Sequence, residues 1–530
     1  MKKTSVLALI LIVCCLFCSC KNADKNELER YTVEVGRKVF VQDEQTELST
    51  VTDFTMPDGY RFLEPLDEQT YIVYKKLDET KDDEANNRYG LMGSDGKILI
   101  ECKYESISYS GKFIHGEYYS EDATLISEVF YADGVKLMST DTIIELYALD
   151  DEFCILYYDG TSQLFDKNGI TYFRANSQMS ADVYYSICDG YLFGYDSNRG
   201  DWYIWQIFQN VDSEEPYGFV VLKQLFASEN SVYTVAYTGN YSFLVAETMN
   251  NSDDYDYFEE INGTTYYIKQ NTYFYNVLTD ERKDYKSEYP ILSITNKYSP
   301  SLNINKKRAL NLNDGYSQVN AGIISDEGER TGFRYFVIND KGEFVICYPQ
   351  SVTATAVRFI DGYGFAGGAG VGSSAGLYYM NCEPVWRKAD KEYYAQSFSS
   401  GVYVASCSTS GGLRYGAFDT DGNVKIEFEY AYISPFSNGY AVARTTDGTY
   451  SIIDADGKMI ENISGFYSLS TATSYGVYAF VSGESYGLKT FDGNTLISAE
   501  YDSFAYFGKV DDKLIVVCAK SGVDRVYTIG

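Results

Sequence analysis

Residues able to do acid–base or nucleophilic chemistry are few in this chain and far apart. The one histidine is His115, within Lys112-Phe-Ile-His-Gly116. A Ser-His-Asp or Cys-His arrangement would have to be built on it, because imidazole is the base that activates those nucleophiles near neutral pH. A single histidine beside a turn glycine reads instead as a surface residue. Zinc sites of the His/Cys type need closely paired ligands, and there is neither a CxxC pair nor a second histidine. Of the cysteines, Cys14, Cys15, Cys18 and Cys20 crowd the N-terminus. Cys102, Cys154, Cys188, Cys347, Cys382, Cys407 and Cys518 stand alone, mostly in strand-like text, and are expected to be buried thiols.

Carboxylates are more abundant. Asp253, Asp254, Asp256, Glu259 and Glu260 crowd one segment, with Tyr255, Tyr257 and Phe258 interleaved. Close-spaced carboxylate oxygens suit a hard cation such as calcium, yet the segment reads best as a solvated acidic loop. Asp419-Thr-Asp421-Gly422 and Asp454-Ala-Asp456-Gly457 imitate the start of a calcium loop. Neither has Gly at the sixth position or Glu at the twelfth, and a hairpin turn explains both. The glycine run at 364–376, with Gly370-Val-Gly372-Ser-Ser-Ala375, would need a helix after it to cradle phosphate. Its C-terminal neighbour is the short, strand-like Leu377-Tyr378-Tyr379, so a mobile hairpin loop is expected. No catalytic residue, metal or cofactor is expected.

The elements that carry these residues are set by a returning pattern. An aromatic-Gly pair is followed by Asp-Gly and then by Tyr: Tyr89-Gly90, Asp95-Gly96, Tyr104; Tyr415-Gly416, Asp421-Gly422, Tyr430; Tyr486-Gly487, Asp492-Gly493, Tyr501. A weaker copy has Tyr450-Ser451 and Asp456-Gly457. Such a fixed period marks a repeat architecture. Asp-Gly signals a two-residue hairpin turn with both residues at positive φ. The flanks alternate as strands do, with Ile98, Ile100 and Cys102 on one side and Leu99, Glu101 and Lys103 on the other. A second landmark, Phe with Gly three residues on and an aromatic residue one or two beyond it, recurs as Phe359 with Gly362-Tyr363, Phe398 with Gly401-Val402-Tyr403 and Phe436 with Gly439-Tyr440. Each unit therefore supplies three or four short antiparallel strands and no helix.

Taken together, Tyr-Gly, Asp-Gly-Lys, an apolar-x-Ile strand, Tyr, and Phe-x-x-Gly-Tyr-Ala-x-Ala resemble the WG (KWG) β-repeat of bacterial proteins. Segments 88–107 and 414–444 are the best copies. Tyrosine stands at 89, 415, 450 and 486 where the family has tryptophan. Degenerate copies lie at 127–134, 162–169 and 335–342. The resemblance implies a repeat β-architecture, with Tyr89, Gly90, Gly96, Tyr415, Gly416, Gly422, Tyr486, Gly487 and Gly493 as structural residues. It brings no catalytic residues.

The N-terminus has a different character. Lys2 and Lys3 precede an apolar run from Val6 to Phe17, with Ser19-Cys20 just beyond it. That order describes a secretory signal. Cys20 directly after a small residue makes it resemble a bacterial lipoprotein signal, with Cys20 as the lipidated residue. Residues 1–19 are then the signal peptide and 20–50 a polar tether. Pro290, Pro300 and the basic Asn305-Lys-Lys-Arg308 suggest a linker at 291–311 between repeat domains at 51–290 and 312–530. Division by about 37 residues gives roughly thirteen units, too many for one usual ring. The expectation is an all-β repeat fold of two β-propellers, about six to seven small antiparallel blades in each.

Charge narrows the partners. With 75 acidic against 44 basic residues, the net is −31, and such a surface repels phosphate backbones, so nucleic acid is excluded. The expected function is a lipid-anchored, extracytoplasmic, non-catalytic scaffold at the cell membrane that binds a protein or glycan partner. The alternative is a surface glycan-degrading enzyme, which would need two carboxylates roughly 5 to 10 Å apart in a central pocket.

Overall fold

The computed structural model describes Leu48 and residues 51–530, apart from internal stretches of which the longest are 175–182, 210–216, 296–315, 348–356, 367–375 and 468–474. The expected signal segment, most of the tether, Cys20 and the run Gly370–Ala375 lie outside the described residues.

Turn chemistry builds the hairpins. In the clear copies the Asp-Gly glycine is at positive φ: Gly96 at 80°, Gly422 at 83°, Gly457 at 80° and Gly493 at 94°. The aspartates are not, which corrects the expected two-residue turn. The Gly96 amide donates to the Gly93 carbonyl, and the Gly93 amide to the Lys97 carbonyl. Pairs Asp419/Asn423, Asp454/Lys458 and Thr490/Asn494 repeat those two bonds. This is a three-residue loop, a turn completed by one left-handed glycine that forms a bulge. An acidic side chain staples each loop. Asp419 Oδ1 accepts the amides of Asp421 and Asn423 at 2.9 and 2.8 Å, and Asp454 does the same for Asp456 and Lys458. Where Gly93 opens the loop, Asp95 accepts the Lys97 amide instead.

The Tyr-Gly signature has its own geometry. Tyr89 lies opposite Tyr104, Tyr415 opposite Tyr430, and Tyr486 opposite Tyr501, yet the next paired residues are Leu91 with Ile100, Ala417 with Ile426, and Leu488 with Ile497. The fourth strand therefore bulges where it passes the glycine. A Cβ on Gly90 would collide with the carbonyl oxygen of Ile100, and one on Gly416 or Gly487 would meet that of Ile426 or Ile497 at 2.7 Å. The weaker copies supply the control. Tyr450-Ser451 pairs in step with Ile463 and Asn462, and Ser127-Glu128 with Thr140 and Ser139. Without the glycine there is no bulge at that point, and the fourth strand is two residues shorter there.

Four antiparallel strands make the usual unit, and among the described residues there are eleven units, of which the fifth inserts an extra strand, Tyr257–Ile261, against Thr264–Asn276. They span 61–104, 106–140, 145–174, 183–226, 231–284, 291–347, 357–387, 393–430, 432–463 and 466–501, and the eleventh joins 503–529 to Val51–Thr55. Units 3 and 4 merge into one sheet through a parallel pairing of Thr171–Arg174 with Tyr217–Phe226. Eleven is fewer than division by 37 gives, because units 4 to 6 use longer strands, up to the thirteen residues of Thr264–Asn276. Among the described residues the one named helical element is the 3-10 turn Glu84–Asn86.

Apolar clusters lie between consecutive units. Ile155 and Leu164 of unit 3 meet Leu192 and Trp205 of unit 4. Val477 and Leu488 of unit 10 meet Leu514 and Val516 of unit 11. Ile515 and Val517 of unit 11 meet Tyr71 and Val73 of unit 1. Second strands, covered on both faces, read as nearly continuous apolar runs: Val402 to Cys407, interrupted only by Ser406, are all buried, as are Leu514 to Cys518. Fourth strands keep the expected alternation, with Ile100 and Tyr104 buried and Glu101 and Lys103 exposed.

Two features differ from the expected division into separate domains. Ile291–Thr295, placed in the linker, is a strand paired with Tyr316–Ile324 inside unit 6. Val51–Thr55, assigned to the N-terminal domain, pairs along its length with Val523–Ile529 of the C-terminal one. The two expected domains share a sheet.

Candidate functional site

The sequence-selected side chains are mostly taken up by the fold. Tyr89, Tyr415 and Tyr486 are half-buried and rest on neighbouring rings: Tyr74 at 6.2 Å, Tyr432 at 5.6 Å and Phe504 at 6.3 Å. Cys154, Cys407 and Cys518 are buried and Cys102 half-buried, all as free thiols; burial pushes Cys102 and Cys518 up to about 12. No group of three or more His, Cys, Asp or Glu side chains able to hold a metal occurs among the described residues.

His115 is corrected from surface to interior: it is 7 % exposed, because its strand Phe113–Tyr119 is a covered second strand. Burial lowers its pKa against the opposing pull of Glu117, whose Oε1 is 3.7 Å from Nε2. One residue along from the paired Val129, Glu128 forms a buried ionic knot on the other face of unit 2. It receives Lys103 at 2.8 Å, Lys136 at 3.0 Å and the Tyr104 hydroxyl at 2.5 Å. Lys103 also sits 4.1 Å above the Tyr118 ring. The knot fastens unit 1 to unit 2.

The acidic segment forms part of a hairpin, Tyr257–Ile261 with Thr264–Asn276. Lys269 lies 3.2 Å from Asp254 and 3.4 Å from Asp256, while Glu259 pairs with Arg330. Asp256 also accepts the Gln270 amide at 2.8 Å. Its turn, Asn262-Gly263, has both residues at positive φ, 53° and 76°, which is the two-residue type. That dipeptide between strand-like runs is a readable signal that the Asp-Gly pattern overshadows.

A second group is invisible in the sequence because topology assembles it. The first strands of units 11, 1 and 2 bring Tyr506, Glu64 and Tyr109 together. The Tyr109 hydroxyl donates to Glu64 Oε2 at 3.4 Å, and the Tyr506 ring lies 5.2 Å from Phe62. Burial first, then Glu64, raise the pKa of both tyrosines. On the first strand of unit 3, the Tyr147 hydroxyl donates to Glu145 at 3.3 Å. Tyr109 and Tyr147 are 40 % and 49 % exposed. Along these first strands stand the half-buried Tyr506 and the exposed Tyr109 and Tyr147, the latter two each hydrogen-bonded to a carboxylate, a first-strand row equipped to bind by stacking and hydrogen bonding.

The architecture is thus an all-β chain of repeated four-stranded units. Residues 89–113 and 415–450 match the family model described as WG containing repeat, so the chain carries repeats of that kind at these two places. No curated protein matches the chain. Among solved structures it is similar to BamB from Moraxella catarrhalis, with 10 % identity and a TM-score of 0.28 over 80 % of this chain and 93 % of that one. It is also similar to Kluyveromyces lactis Hsv2, with 9 % identity and a TM-score of 0.24 over 69 % and 98 %. Likeness this slight carries no argument about fold or function.

Proposed function

We propose that the protein is a lipid-anchored, extracytoplasmic scaffold that binds a protein or glycan partner and does no chemistry itself. The exposed tyrosines Tyr109 and Tyr147 on the first strands of units 2 and 3, each hydrogen-bonded to a carboxylate, carry the reading. Rings of this kind supply contact area at low entropic cost, and their hydroxyls and carboxylates give direction. The anchor rests on the sequence: Lys2-Lys3, the apolar run to Phe17 and Ser19-Cys20 describe a bacterial-type lipoprotein signal, with acylated Cys20 holding the protein at the outer face of a membrane.

The test is capture from envelope extract by the full chain, compared with a Tyr109→Ala/Tyr147→Ala variant. A partner held by the first and lost by the second supports the reading. Equal capture by both removes the tyrosine row from it, and turnover of any polysaccharide by the purified protein replaces a scaffold with an enzyme. Mass spectrometry of the mature N-terminus should show a lipid on Cys20, and retention of Met1 would exclude the anchor.

A further inference from the structure

We propose that the aromatic face of the hairpin in unit 5 docks a cationic, arginine-bearing polypeptide segment. This rests on the scaffold reading and names one partner surface and its chemistry. Strand Thr264–Asn276 pairs with Ser242–Asn250 only from Ile268 onward. Its first four residues pair with Phe258 to Ile261 alone, so the hairpin tip extends past that neighbouring strand by about 13 Å. The tip is not loose. Its two-residue turn suits the strand twist, the Phe258 amide donates to the Gly328 carbonyl at 3.0 Å, and Glu259 pairs with Arg330 of unit 6.

The outer edge of the hairpin is therefore fixed to unit 6 through Phe258 and Glu259, and the face that carries Phe258 and Tyr267 presents rings. Phe258 and Tyr267 stand opposite each other with centroids 6.2 Å apart, and Tyr255 lies 4.8 Å from Tyr267. Tyr255 and Tyr267 are 47 % and 43 % exposed, as large for surface rings as those of the first-strand row. Around them stand the exposed Asp253, Asp254, Asp256 and Glu260, with Lys269 as the adjoining cation. The sign of that rim selects the occupant. A cation over an aromatic face is attracted by the ring quadrupole, and a carboxylate beside it adds an ion pair. Arginine meets both demands better than lysine, because its planar guanidinium stacks on a ring while its edge donates to a carboxylate. The chain's net charge of −31 steers such a segment in.

Fluorescence anisotropy of the purified full chain with a labelled decapeptide of alternating glycine and arginine tests this. Lysine and aspartate versions and a chito-oligosaccharide serve as the comparison probes. The arginine peptide should bind, the lysine one more weakly and the aspartate one not at all. Tyr255→Ala/Tyr267→Ala should weaken binding about tenfold with an unchanged melting temperature, while Tyr267→Phe retains it. Tyr109→Ala/Tyr147→Ala should leave it intact, so the hairpin and the first-strand row fail or stand separately. No binding, or binding that the double hairpin variant leaves unchanged, overturns the proposal. So does preference for the oligosaccharide.

Discussion

The buried carboxylate of Asp524 accepts the backbone N–H of Phe62 at 3.0 Å, a bond across 462 positions that ties unit 11 to unit 1. Burial raises the Asp524 pKa above 3.8, against the lowering pull of the Phe62 amide and Arg61. The folded chain therefore keeps this proton to higher pH than the unfolded chain does. Its contribution to stability is greatest below the unfolded pKa and declines as pH rises through the folded one. Asp524→Asn keeps an acceptor for Phe62 and should remove that decline, melting at or above wild type at pH 7. Asp524→Leu leaves the amide unpaired and should cost about 1–3 kcal/mol. Denaturant melts from pH 3 to 7 measure both, and an Asn variant with the wild-type slope would refute the assignment.

Glu128 should behave in the opposite sense. Burial alone would raise its pKa, but donors from Lys103, Tyr104 and Lys136 outweigh it and bring it to about 2. The unfolded carboxyl titrates near 4.5, so the knot's stability is complete above that value and is lost as pH falls toward 2. Glu128→Gln should cost about 2–3 kcal/mol at pH 7 and flatten the acid limb. Melting curves of the two proteins between pH 2 and 6 should converge at the acid end.

The Tyr-Gly bulge can be rewritten as its glycine-free counterpart. Gly487→Ser would drive a Cβ to 2.7 Å from the Ile497 carbonyl oxygen and 2.8 Å from the Ala499 amide nitrogen. A loss of about 1–3 kcal/mol is expected, the scale of core overpacking. Unit 9 shows the remedy, since Ser451 pairs in step with Asn462. Deleting Ser498 and Ala499 in the Gly487→Ser background should restore the register and recover most of the melting temperature. The same deletion in wild type should not stabilise it.

Turn glycines that look alike in sequence should differ in cost. Gly493, at φ 94°, has open space where a Cβ would go, so Gly493→Ala should cost only the left-handed strain of about 1–2 kcal/mol. At Gly422 a Cβ would also meet Trp386 of unit 7 at 2.9 Å, so Gly422→Ala should cost about 1–3 kcal/mol more. Asp492→Asn should be nearly neutral, because Asn keeps an acceptor for the Thr490 hydroxyl. A chelator should leave the wild-type melting temperature unchanged. A calcium-dependent shift would identify these loops as ion sites.

The local rules of this fold are legible in the sequence and the distant ones are not. Tyr486-Gly487 and Asp492-Gly493 announce a bulge and a turn through residue type and spacing alone. Glu64, Tyr109 and Tyr506 lie on three sheets and have no spacing that could betray them. Pairing of Val51–Thr55 with Val523–Ile529 likewise leaves no local trace, so the proline and basic island near 300 suggest a boundary that the shared sheet does not respect. His115 reads wrongly as a surface residue because a second strand is covered on both faces, which a lone turn glycine does not reveal.

Those distant pairings constrain the arrangement of the units. Apolar clusters join unit 7 through unit 11 to unit 1, and unit 1 through to unit 6. The two ends of that stack, units 6 and 7, are also joined by the chain between Cys347 and Val357. Ten residue steps reach at most about 36 Å. Eleven sheets stacked straight at about 10 Å spacing would hold their ends about 100 Å apart. The stack must therefore curve back toward its start, and unit 6 is expected to meet unit 7 in one ring, larger than the usual four to eight blades. Small-angle scattering of residues 48–530 should give a maximum dimension of about 60–70 Å for such a ring. A rod exceeding about 100 Å, or two resolved lobes, would refute it. Deleting Val51–Thr55 should lower the melting temperature and expose Val523–Ile529 as an edge, with self-association detectable by light scattering.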